Sequence, residues 1–310
     1  MVATRATIAL TLASAGCSDF SVGDTDTNRV NSVAVEETFL QAPRQQLDLL
    51  WLIDNTPSMG TEQEHALAIV GGIIAGLQEF DTSWHLGVIT PDGQGILEGE
   101  PWVLTPATYT TDTLAQTLNV GTEGSVPQHG LASIVAALSS PTLQNENRGF
   151  RREDASLHVV VFSDGDDESD GVLGDDPVAT TAAALDAATI NAPEPARFSA
   201  IVGPEDEPCI DAGGNAIPAP RYRSLAVQTG GAVTSICSPD LDEIKLAVGD
   251  LSAHLPRSFA LQTEPVVGST RVAINGERQD TGWTLSGLDL VFEHPPTVGS
   301  TITARYRVSR

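Results

Sequence analysis

The chain has 310 residues, of which 41 are Asp or Glu and 16 are Lys or Arg, giving a formal net charge of −25. A surface this acidic repels nucleic acid and anionic membrane, both of which are held through Lys and Arg on phosphate. A hydrophobic content of 41% supplies a packed core and argues against wholesale disorder, and the length accommodates one large α/β domain plus something smaller.

Residues 1–17 read as an export signal: Arg5, a short apolar run from Ala6 to Ala13, then Ser14-Ala15-Gly16-Cys17. Small residues ahead of a cysteine resemble the bacterial lipoprotein signal, in which Cys17 takes the lipid, although Ser14 stands where that signal has Leu. Ala13-Ser14-Ala15 also fits ordinary secretory cleavage, so both readings stay open. If Cys17 carries a lipid, Cys209 and Cys237 remain as a natural disulfide pair in an oxidising compartment. No later apolar run reaches the roughly 18–20 residues needed to cross a bilayer. Membrane contact is therefore expected through the N-terminal lipid only, and the expected location is the outer membrane or cell envelope.

Residues 18–40 combine a polar tether with a loosely alternating strand from Val33 to Phe39. From 41 to 255, apolar strand-like runs alternate with helical spacing. Leu47–Ile53, His85–Ile89, Leu157–Phe162, Phe198–Val202 and Ala232–Ile236 read as strands. Helices are expected around 66–77, 131–138, 178–189, 222–228 and 241–255. This pattern predicts a doubly wound, mostly parallel sheet, whose ligands sit at the carboxyl ends of the strands. From 256 to 310 the period changes to two, in Val272/Ile274, Leu288/Leu290/Phe292 and Ile302 to Val308, with a turn at Asn275-Gly276. A small β domain follows, one that should lean on the larger domain or borrow a strand.

Three loops carry the chemistry. Asp54-Asn55-Thr56-Pro57-Ser58 follows the first buried strand, Gly121-Thr122-Glu123-Gly124-Ser125 precedes a helix, and Ser163-Asp164-Gly165 ends another strand. Carboxylates and hydroxyls from separate loops suit a hard cation such as Mg²⁺, with Mn²⁺ or Ca²⁺ as alternatives. An Asp at a strand end often only caps a helix, and Gly-Ser before a helix is an ordinary N-cap. The combination is what points to a metal.

On these residues the segment 41–255 resembles a von Willebrand factor type A domain of Rossmann-like fold, and more narrowly the exported type A lipoproteins of Gram-negative bacteria. The resemblance implies a metal-ion-dependent adhesion site of Asp54, Thr56, Ser58, Ser125 and Asp164, with Thr122 as the alternative to Ser125. Thr56 and Ser125 depart from the family's Ser and Thr, but each keeps a hydroxyl. The function implied is binding of a protein ligand that presents a carboxylate to the cation. The first loop is expected to be exposed.

Competing readings remain. Asp54, Ser163 and the pair Asp166/Asp167 imitate a Mg²⁺-dependent phosphatase of the haloacid dehalogenase type, but Thr56 replaces that family's second acid. Lys245, the single lysine, lies after the acidic pair rather than before it. A structural envelope protein with a degenerate metal site is the other alternative. The acidic run from Asp164 to Asp176 reads chiefly as a solvated loop, with a second, Ca²⁺-type site as the lesser alternative. The six histidines show no ligand spacing and read as structural, and no G-x-S-x-G, Walker or C-x-x-C motif suggests an enzyme.

Overall fold

Seven of the eight residues of the strand Gln46–Ile53 are buried, because helices cover both faces of the sheet it occupies. A computed structural model describes residues 32–41, 46–78, 82–124, 126–211, 214–252, 256–297 and 299–309. Cys17 with the export signal and the tether, and also Ser125, lie outside the described residues.

The order of elements begins with β1 (Ser32–Leu40), β2 (Gln46–Ile53), a 3₁₀ turn at Pro57–Gly60, α1 (Glu62–Gln78), β3 (Ser83–Ile89), α2 (Thr111–Leu118) and α3 (Gly130–Ala137). Next come β4 (Ser156–Phe162), α4 (Asp170–Leu173), α5 (Pro177–Ala188), β5 (Arg197–Val202), β6 (Cys209–Asp211), β7 (Gly214–Ala216), α6 (Pro220–Gln228), β8 (Val233–Ser235) and α7 (Leu241–Ser252). Six further strands complete it: β9 (Ser258–Ala260), β10 (Arg271–Ile274), β11 (Glu277–Gln279), β12 (Trp283–Ser286), β13 (Asp289–Phe292) and β14 (Thr301–Ser309).

The central sheet has five parallel strands in the order β3-β2-β4-β5-β8. Side chains alternate across a strand, and β2 shows the consequence. Leu47, Leu49, Trp51 and Ile53 pack with α1, α2 and α7, while Leu50 and Leu52 pack with α3, α5 and α6. The chain leaves β2 for β3 on one side and then crosses to β4 on the other, so the order reverses between β2 and β4. Loops diverge at such a point and leave a crevice at the carboxyl ends of the two strands.

The opposite end of the sheet is tied by charge. Asp48 on β2 is fully buried and accepts from Arg151 Nη1 at 2.8 Å, Arg152 Nε at 2.8 Å and the Arg152 backbone N–H at 2.7 Å. Arg152 also donates to the carbonyls of Leu47 and Ser83, joining the starts of β2 and β3. His158 is fully buried in β4 with Ser252 and Ser199 at its two ring nitrogens, 2.9 and 2.8 Å away, a structural role. Cys209 and Cys237 form a disulfide, Cα to Cα 6.3 Å, which ties the β6–β7 hairpin to the segment after β8. Helix α2, which the sequence reading missed, buries Leu114 and Leu118 and is closed at its start by a reciprocal Thr110–Thr113 capping box.

The second unit joins the two ends of the described chain. Sheet β1-β14-β10-β11 faces sheet β12-β13-β9 across a separate core that includes Phe259, Val272, Leu290, Phe292, Ile302 and Tyr306. β1 pairs antiparallel with β14 along nine residue pairs, from Ser32–Ser309 to Leu40–Thr301. The β domain thus borrows the strand that precedes the α/β domain. Leu288, expected in a strand, instead lies in the β12–β13 turn and is 43% exposed. Where the chain passes between units, buried Gln41 donates from Nε2 to the Pro256 carbonyl at 3.0 Å. Among the described residues no helix is long and apolar enough to cross a membrane.

Candidate metal centre

Asp54 follows directly on β2 and Ser163-Asp164 follows directly on β4, so the reversal of strand order brings the first and third loops side by side. The Asp54 N–H donates to the Phe162 carbonyl at 3.0 Å, which continues the parallel ladder one step past the strand. Asp54 is fully buried, which corrects the expectation of an exposed loop. The reason is its hydrogen bonding. Oδ1 accepts from the Thr56 N–H and the Thr56 hydroxyl, both at 2.8 Å, and Oδ2 accepts from the Ser163 hydroxyl at 2.6 Å. A carboxylate with three donors tolerates removal from water.

Thr56 is buried and its hydroxyl lies 3.2 Å from that of Ser58, which is exposed at the mouth of the site. Asp164 is half-buried beside Ser58. Burial raises the proton affinity of Asp164; the Ser58 hydroxyl lowers it, and the charges of Asp54 and Glu62 raise it further. The structure therefore brings Asp54, Thr56, Ser58 and Asp164 together, as the loop pattern requires.

The second loop is locked to the first. Gln63, at the start of α1, donates from Nε2 to the carbonyls of Asp54 at 3.2 Å and Gly121 at 2.7 Å. The Gly124 N–H donates to the Asn55 carbonyl at 2.7 Å, and a Cβ built at Gly124 would overlap Asn55. Glycine is needed there for close approach. Thr122 is half-buried on this loop. Ser125 follows Gly124 immediately in sequence but falls outside the described residues.

Three residues of the site have roles that the sequence reading did not assign to them. Ser163 and Gln63 hold the loops. Glu62, in the first turn of α1, is 4% exposed, and its Oε2 is buried with no hydrogen-bond partner. The advance signals were the place of Ser163 in the third loop and the Glu62-Gln63 pair at the start of the helix that follows the first loop.

The acidic run is not simply solvated. Buried Asp167 accepts from the Leu131 N–H at 2.8 Å and from the N–H and hydroxyl of Ser169, which caps the start of α3. Glu168 accepts from the Gln128 N–H, Asp176 caps α5 through the Ala179 N–H, and Asp170 pairs with Arg221 at 2.7 Å. Asp166 accepts from the Arg221 N–H, and burial pushes its carboxyl up to about 6. These carboxylates serve helix starts and one arginine rather than a common point.

The donor set at the crevice is two carboxylates and two neutral hydroxyls, all hard oxygens of the kind Mg²⁺ or Ca²⁺ accepts. Among the described residues no ion pair reaches Asp54, Glu62 or Asp164. Nor do three His, Cys, Asp or Glu side chains among them converge to hold a metal. Glu62 bears on Asp164 through its charge. An unpartnered buried carboxylate oxygen next to two more carboxylates is an arrangement that positive charge relieves. The residues present fit a hard divalent cation.

No protein-family model matches the chain, and no characterised protein matches it at a significant level. Among solved structures it is similar to proximal thread matrix protein 1 from the mussel byssus, at 13% identity and a TM-score of 0.44. That match covers 71% of this chain and 50% of the mussel protein. It is also similar to the pilus adhesin SpaC from Lactobacillus rhamnosus GG in its open conformation, at 10% identity and a TM-score of 0.42. That match covers 92% of this chain and 42% of the adhesin. The chain thus spans half or less of the length of either structure.

Proposed function

We propose that the protein is an exported, lipid-anchored envelope protein whose α/β domain is of the von Willebrand type A kind and binds a partner through a divalent cation. The observation that carries this reading is the placement of Asp54 and Asp164 on either side of the Thr56 and Ser58 hydroxyls, where the strand order reverses. Asp54, Thr56, Ser58 and Asp164 would hold the cation, with Ser125 as the contribution of the second loop. A cation so held supplies an electrophilic position for a carboxylate oxygen of a protein ligand.

The chain's own residues do the positioning. Ser163 and the Thr56 N–H fix the Asp54 carboxylate, Gln63 sets the spacing of the first two loops, and Ser58 and Asp164 form the accessible rim. Binding rather than hydrolysis is favoured because the acidic pair Asp166/Asp167, which a phosphatase would turn on Mg²⁺, accepts from backbone N–H groups instead. A structural envelope protein with a degenerate site is the second reading. It is favoured by the way Asp54, Thr56 and Ser163 satisfy one another without an ion.

Calorimetric titration with Mg²⁺, Mn²⁺ and Ca²⁺ separates the two. Saturable binding of at least one ion, lost in Asp164→Ala, supports the adhesion reading. No saturable heat with any ion leaves only the structural one. Asp164 is preferred to Asp54 for the test because removing buried Asp54 strips three donors of their acceptor.

A further inference from the structure

The β unit differs from the rest of the chain in charge. Residues 256–310 hold six arginines against five acids, in a protein of net charge −25. Two of those arginines, Arg271 and Arg278, rim a groove of about 470 Å³ between the edge strands β11 and β12. The size suits a small ligand, since such pockets run from roughly 300 to 1,000 Å³.

The groove has a defined construction. Val272 is buried in the core between the sheets, so its neighbours in sequence alternate: Thr270 is 5% exposed while Arg271 is exposed. Trp283 and Leu285 stand opposite buried Phe292 and Leu290, which puts them on the inner side of β12, at the open edge of the sandwich. The Trp283 indole N–H donates to the Gln279 carbonyl at 2.9 Å and fixes the ring. Arg271 Nη1 donates to the carbonyls of Gly268 and Thr270, at 3.1 and 2.8 Å, which orients the guanidinium without neutralising it. Arg278 pairs with Asp280 at 2.7 Å, but both are well exposed, and water screens such a pair.

One group is unaccounted for. Thr270 lines the groove, and its hydroxyl is buried with no hydrogen-bond partner among the described residues. Buried hydroxyls are almost always bonded, so an unpartnered one in a residue that lines a groove with Trp283 and two arginines is open to a partner from that groove.

We infer that this groove, formed by Thr270, Arg271, Arg278, Asp280, Trp283 and Leu285, binds an anionic saccharide, a sugar ring that carries a carboxylate. The apolar face of the ring lies on Trp283 and Leu285. The carboxylate meets the arginines, which match its planar geometry. Ring hydroxyls reach Thr270 and Asp280, a hydroxyl and a carboxylate that an alcohol satisfies by both donating and accepting. An acidic peptide added as a strand is disfavoured because the flanking edges are short, three residues in β11 and four in β12.

The test is calorimetric titration of the full chain with trigalacturonic acid, galactotriose and tetraglutamate. It is run in chelator so that carboxylate coordination at the other site contributes nothing. Trigalacturonic acid should bind saturably, and galactotriose and tetraglutamate at least tenfold more weakly. R278A should weaken trigalacturonic acid at least tenfold. T270V should weaken it severalfold while leaving the melting temperature equal or higher, because it deletes an unpartnered buried hydroxyl in a side chain of the same shape. No saturable binding of trigalacturonic acid overturns the inference. So does tetraglutamate or galactotriose binding as tightly, or an affinity unchanged in both variants.

Discussion

Ser163 donates a 2.6 Å hydrogen bond to Asp54 across the carboxyl ends of two neighbouring parallel strands, and both residues are fully buried. The Ser163 hydroxyl also accepts from the Gly165 N–H at 3.1 Å, so its direction is fixed from the third loop. Partners that orient a ligand in this way carry about 10- to 100-fold of metal affinity. Ser163→Ala is expected to weaken divalent cation binding about tenfold while the far-UV spectrum stays unchanged. Calorimetry on both proteins checks it, and equal affinities would remove Ser163 from the site.

Glu62 should behave in the opposite sense in the apo protein. Its Oε2 has no donor and its charge bears on Asp164. Replacing it with Gln removes a buried charge worth about 1 kcal/mol of strain or more. In chelator, Glu62→Gln is expected to melt about 2–4 °C higher than wild type. The rise in melting temperature on adding Mg²⁺ should shrink. A lower melting temperature in chelator with an undiminished Mg²⁺ response would mark Glu62 as purely structural.

At the other end of the sheet, Asp48→Ala leaves the guanidinium groups of Arg151 and Arg152 without their buried partner. Breaking a buried pair from one side costs about 3–5 kcal/mol. Urea unfolding of the variant should show a loss of that order. Cation affinity should be preserved, since the network joins the starts of the strands and the site lies at their ends. A loss under 1 kcal/mol would show that water or other acceptors satisfy the two guanidinium groups as well as Asp48 does.

The Cys209–Cys237 bridge closes a loop of 28 residues in sequence separation. Chain-entropy arithmetic gives about 3–4 kcal/mol for such a loop. Reduction, or the double Ser variant, should lower the unfolding midpoint accordingly. Thiol counting on the unfolded, non-reduced protein should find neither cysteine of the pair reactive, and two reactive thiols would contradict the bridge.

The parallel sheet was legible because its central strands, 47–53 and 157–162, are covered on both faces and so read as apolar runs broken only by Asp48 and His158. Short strands such as β11, Glu277-Arg278-Gln279, carry no such signature and were not read. Asp54, Thr56 and Ser58 share one turn, so sequence spacing alone places them together. Ser163 meets Asp54 across a separation of 109 residues, and that contact depends on strand order and register, which spacing does not encode. The burial of Asp54 was misjudged for the same reason. The acidic run is largely exposed, as its charge suggests, and Asp167 departs from that because its capping of α3 joins segments 36 residues apart.

The pairing of β1 with β14 also has a mechanical consequence. The α/β domain is inserted between β1 and β9, so chain tension applied from the N-terminal side reaches β1 before it reaches β2. β1 is held to β14 by nine antiparallel residue pairs, and a pull along its axis loads those hydrogen bonds together in shear rather than one after another. On the proposed reading, with the leader anchored and a ligand held at the carboxyl ends of β2 and β4, tension would run along the β1 backbone into β2, alongside this joint. The β unit would then act as a clasp on the load-bearing strand, and its release would leave the covalent path from β1 to β2 unbroken.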